Sequence, residues 1–152
     1  GLPFTLYGWW RQYGAYRRLE KLWIQLMRAA GMEPTAPRKF SLRDAGLLLD
    51  GRRMEIYDAA LWLLPYTDTA TLEQARQLAA EVVSSADVEA HAVAATFAVT
   101  IENRNRGARA VRPPETALLA AEDEMRFILS VARAFDRSPV IPELKSRMSA
   151  GV

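Results

Sequence analysis

The sequence predicts an all-α fold, a compact bundle of about five or six helices led by a long amphipathic one. Three observations carry that prediction. Apolar residues recur at three- and four-residue spacing through most of the chain. No stretch sustains the period-two alternation of β-branched residues that a half-buried strand needs. Gly and Pro punctuate the apolar series at its breaks, as at Gly31, Pro34, Pro65 and Pro113.

The first helix is expected from about Leu6 to Ala30. Trp9, Tyr13, Tyr16, Trp23, Met27 and Ala30 form its stripe, Leu19, Leu22 and Leu26 widen it, and Arg11, Arg18, Lys21, Gln25 and Arg28 fall opposite. Gly31 is the expected C-cap, and Pro34 and Pro37 forbid continuation into the loop that reaches Phe40. Ser41 and Asp44 resemble a capping box opening a short helix to Leu49, which Asp50-Gly51 interrupts. Met54, Ile56, Tyr57, Ala60, Leu61 and Leu64 then define a helix that stops before Pro65. Thr71 with Gln74 opens a helix to about Val83, and Asp87 opens another to about Asn103. A flexible Arg-rich loop over 104–114 follows, and Pro113-Pro114 is the expected start of a long final helix to Arg137.

At 152 residues the chain suits one domain, residues 1–152, with enough length to bury a core. The absence of cysteine excludes disulfides and thiolate metal sites. No apolar run approaches the roughly 20 residues that span a bilayer, so the chain is expected to be soluble as it stands. Its start at Gly1 rather than methionine points to a natural beginning further upstream. The net charge of +2 hides a segregation: +6 from Gly1 to Arg53, −7 from Met54 to Asn103, and +3 from Arg104 onward. Such blocks can neutralise each other across helix faces, or the basic ends can serve an anionic partner.

The stretch GWWRQYGAYRRLEKLW, Gly8 to Trp23, combines three tryptophans and two tyrosines with Arg11, Arg17, Arg18 and Lys21. Tyr16, Trp23 and Met27 read as core. Trp9 and Trp10, being adjacent, stand about 100° apart on a helix and do not easily share one core face, which leaves membrane interface and core both open for them. In the loop, Arg104, Arg106, Arg109 and Arg112 could contact an anion, although no aromatic side chain is interleaved for base stacking. Glu55 and Asp58, three residues apart beside Tyr57, have a spacing that could serve acid–base or metal chemistry, but Arg52 offers Glu55 a simpler ion pair. His91, the sole histidine, lies two residues from Glu89 and so points elsewhere; a satisfied or surface histidine is expected. Glu122, Asp123 and Glu124 read as a solvated face partly paired with Arg126. There is no Gly-rich phosphate loop, GxSxG elbow or HExxH motif, and neither cofactor nor catalysis is expected.

The strings YRRLEKLWIQLMRAAGMEP, RRMEIYDAALWLLPY (Arg52 to Tyr66) and ARAFDRSPVI (Ala132 to Ile141) resemble the C-terminal soluble region of an actinobacterial family of multi-pass membrane proteins described as transporters. The likeness runs from about Tyr13 to Ile141. It implies a domain of unknown function following the last transmembrane helix on the cytoplasmic face, and signalling as readily as transport. Residues 1–30 would then form a juxtamembrane-type helix. Trp9, Trp10 and Arg11 would sit near the headgroups, and Arg17, Arg18 and Lys21 would face anionic lipid. The expected function is a non-catalytic regulatory or interaction domain that engages a protein partner or its own copy; the alternative is a basic helical module for nucleic acid.

Overall fold

The computed structural model describes residues 2–35, 41, 43–111, 113–115, 117–120 and 123–150, with side chains from Leu6 onward. Its helices are α1 (Leu2–Arg18), α2 (Glu20–Ala29), α3 (Ala45–Leu63), α4 (Thr69–Val82), α5 (Val88–Asn105), α6 (Met125–Arg137) and α7 (Val140–Ala150), with a 3₁₀ turn at Leu64–Tyr66. The fold is all-α, and no strand occurs among the described residues.

Helix α5 is the centre of the fold. Every residue from Ala92 to Ile101 is buried, because alanines and β-branched residues surround the helix and leave it no polar face. One side joins α2, α3 and α6 in a core built on Leu22, Leu26, Ile56, Phe97 and Val131. The other joins α4 and α7 through Leu78, Ala79, Ala95, Val99 and Leu144. Its buried hydroxyls are satisfied: Thr96 donates to the Ala92 carbonyl at 2.7 Å, and Thr100 to Thr67 Oγ1 at 3.3 Å.

Several boundaries follow the sequence. Gly31 ends α2 at φ +77°, with the Met32 and Gly31 amides donating to the Met27 and Arg28 carbonyls, a Schellman closure that only glycine adopts without strain. Gly107, at φ +78°, closes α5 in the same way. The Ser41 hydroxyl accepts from the Asp44 amide at 3.2 Å, but this local bond does not open the helix: α3 begins at Ala45, with Asp44 at its N-cap position. The cap of α4 is Asp68, which accepts from the Ala70 amide at 3.0 Å, rather than Thr71, which is buried.

Other boundaries depart from the sequence reading. The expected first helix is interrupted at Leu19, although Leu19 N–H still reaches the Ala15 carbonyl at 3.1 Å and Trp23 N–H reaches the Leu19 carbonyl at 2.9 Å. Helix α3 runs straight through Asp50-Gly51, since an isolated helical glycine costs only about 1 kcal/mol and the buried neighbours outweigh it. The final helix begins at Met125, not after Pro114. Asp123 Oδ2 takes the Ala120 amide at 2.8 Å, a side-chain bond that competes with helix, while Leu118 and Leu119 still reach the core. Helix α7 was not anticipated. Ser138 Oγ accepts from Val140 N–H at 3.2 Å to start it, and Pro142 is tolerated in its first turn. Pro37 and Phe40 lie outside the described residues.

Candidate functional site

Arg126, Ser130, Arg133 and Arg137 recur on α6 at spacings of four, three and four, which puts them on one helical face, opposite the buried Ile128 and Val131. That face looks toward the end of α1 and the start of α2. Between them lies an open cleft of about 610 Å³, lined by Arg17, Arg18 and Lys21 on one side, by the α6 arginines on the other, and floored by Leu129 and Ala132. At this cleft the N-terminal basic block faces the basic C-terminal block, while elsewhere α1 and α2 pack on α3.

Among the described residues six cations share this cleft with one lining carboxylate, Asp136, which binds Lys21 Nζ at 2.7 Å and Arg137 Nε at 3.5 Å. The Lys21 ammonium beside it holds the Asp136 carboxyl below the usual carboxylate range. Arg17 turns to Glu20 at 3.7 Å and donates to the Tyr13 hydroxyl at 3.2 Å. Arg18, Arg126 and Arg133 are exposed and reach no carboxylate among the described residues. The expected pairing of Arg126 with the acidic trio does not form there. Asp123 is spent on the Ala120 amide, and Glu122 lies outside the described residues.

The tryptophan pair divides. Trp9 is half-buried and stacks on Tyr13, with ring centres 5.2 Å apart, and Trp10 meets Trp9 edge-on at 5.0 Å while remaining 61% exposed. Leu6 and Tyr7 are exposed on the same helix, and the Arg11 guanidinium lies 5.8 Å from the Tyr7 ring centre. Tyr16, Trp23 and Met27 are buried, as read from the sequence.

Arg52 is the residue sequence reasoning misplaced most. It does not pair with Glu55. Its side chain is buried, with the guanidinium 3.5 Å from the Tyr16 ring centre and 4.0 Å from that of Trp23, and Nη1 donates to the Tyr16 carbonyl at 2.9 Å. A side chain entering the helical ladder there accompanies the interruption at Leu19. Burial lowers the Arg52 pKa, opposed by Tyr16, Glu20 and Glu55; it also raises that of the Tyr16 hydroxyl.

The second arginine group is dispersed. Arg104 belongs to the last turn of α5 and packs on Trp62 and Tyr66, 5.3 and 4.9 Å from their ring centres. Arg106 pairs with Glu102, Arg109 is exposed in the loop, and Arg112 lies outside the described residues. The sequence shows no aromatic near Arg104; the fold brings two. His91 Nδ1 lies 2.6 Å from Ser138 Oγ, so the lone histidine is satisfied, and burial lowers its pKa while Asp87 works the other way. Among the described residues no three His, Asp or Glu side chains converge as metal ligands, and no helix is long and apolar enough to cross a membrane.

Fold and cleft together define an all-α domain with a cationic groove on one side. Residues 8–138 match a family of unknown function (DUF6545), and the chain belongs to that family. No curated protein and no solved structure matches it.

Proposed function

We propose that this chain is a non-catalytic interaction domain working at the cytoplasmic face of a membrane, as the soluble part of a multi-pass protein of the transporter or sensor type, and that α1 meets the lipid headgroups. The observation that carries this reading is the outer surface of α1, where Tyr7 and Trp10 stand 65% and 61% exposed with Arg11 beside the Tyr7 ring. Aromatic rings with a polar edge favour the headgroup region, and a nearby cation adds about 1 kcal/mol on an anionic surface. The family resemblance of the N-terminal and Arg52–Tyr66 strings supports the same placement.

Co-sedimentation with vesicles tests it. The chain is expected to bind phosphatidylglycerol-containing vesicles, to leave phosphatidylcholine vesicles largely unbound, and to lose about tenfold in affinity when Tyr7 and Trp10 are both changed to alanine. Equal binding of the double variant would remove α1 as the membrane contact.

A further inference from the structure

We propose that the cleft between the α1–α2 junction and α6 binds a soluble small molecule carrying a di- or triphosphate group, gripped by Arg18, Arg126 and Arg133. The cleft's volume, about 610 Å³, lies within the range of small-molecule sites, roughly 300–1,000 Å³. Its charge sets the ligand class. Asp136 is already neutralised by Lys21 and touched by Arg137, and Arg17 is turned toward Glu20. The three guanidiniums that meet no carboxylate among the described residues, with Arg137 half-engaged, match the roughly three to four negative charges of a di- or triphosphate near neutral pH.

Guanidinium is the group that suits this ligand, since its planar fork bonds phosphate oxygens two at a time. The helical spacing of Arg126, Arg133 and Arg137 lines such forks along one wall, and Arg18 supplies one from the opposite wall. Unliganded, these like charges repel across the cleft, and a polyanion relieves that repulsion. Among the described residues no aromatic ring lines the cleft, so none of them selects a nucleobase. Tripolyphosphate and ATP should therefore bind with similar strength. The site does not depend on the membrane reading of α1, whose exposed Tyr7 and Trp10 are not among its lining residues.

Calorimetric titration of the chain with sodium tripolyphosphate at low salt tests the proposal. Binding is expected, falling steeply as salt is raised. Changing Arg126 and Arg133 together to alanine should weaken it by about a hundredfold, since a hydrogen bond to a charged group is commonly worth one to two orders of magnitude in affinity. The same loss of charge at Arg28 and Arg109, both exposed and outside the cleft, should weaken it by less than about threefold through general electrostatics. An unchanged urea midpoint for the cleft variant would show that its fold is intact. Absence of binding at low salt, or an equal loss in the Arg28/Arg109 variant, overturns the site. Dependence on Arg126 and Arg133 seen only with vesicles carrying phosphoinositides, and not with free tripolyphosphate, overturns the soluble ligand in favour of a lipid headgroup. Tyr7 and Trp10 variants should titrate like the parent chain, which separates this result from the vesicle experiment.

Discussion

Arg52 and Arg133 carry the same side chain into opposite surroundings. Arg52 is 3% exposed, pressed between two aromatic rings and bonded to a backbone carbonyl; Arg133 stands in an open cleft and meets no carboxylate among the described residues. A buried guanidinium loses hydration and must recover it from whatever encloses it, here the electron-rich ring faces and the Tyr16 carbonyl. An exposed one keeps its water and gives it up only to a ligand. The first arginine belongs to folding, the second to binding.

The largest expected effect tests that division directly. Arg52→Ala should lower unfolding stability by about 2–4 kcal/mol, through lost packing and two abandoned ring faces. Arg133→Ala should leave the urea midpoint unmoved. Comparable losses in the two variants would break the contrast. A smaller effect sharpens it: Arg52→Lys keeps the charge but replaces a plane that lies on two rings with a compact ammonium, and about 1–2 kcal/mol should be lost. Should lysine prove neutral, charge rather than stacking is what the pocket selects.

Gly51→Ala, one residue away, should act in the opposite direction. A Cβ there meets nothing within 4 Å, so alanine should stabilise α3 by about 0.5–1 kcal/mol in the same denaturation experiment. The smallest effect concerns pH. Burial lowers the His91 pKa below its ordinary 6.5, so between that value and the lowered one the unfolded chain takes up a proton that the folded chain refuses. Stability should fall as pH drops through 6.5 and level off below the folded-state pKa, and His91→Gln should flatten that part of the profile. Asp87 works against the burial and favours protonation; Arg133 and Arg137 line the same pocket as His91.

Periodic helices such as α2 were legible because their apolar spacing reflects one buried face, and the Gly31 cap because only glycine takes its positive φ without strain. What escaped depended on contacts remote in sequence. The Leu19 interruption accompanies Arg52, 36 positions away from the carbonyl it engages. The early start assigned to the last helix failed because Asp123 satisfies a backbone amide that a helix would have used. Half of the cleft was visible as Arg17, Arg18 and Lys21. The other half was hidden, although the repeat of Arg126, Arg133 and Arg137 on one face is a signal that could have found it. Nothing in local sequence said that the two basic ends would meet.

The crowding around α5 also fixes which positions can drift. Ala92, Ala94 and Ala95 are fully enclosed, and an added methylene there typically costs about 1–3 kcal/mol, so in a randomised library these codons should be purged by folding alone. The cleft arginines enjoy no such protection, since solvent-exposed substitutions are nearly neutral for stability. Purifying selection at Arg18, Arg126 and Arg133 would then be the fingerprint of a ligand.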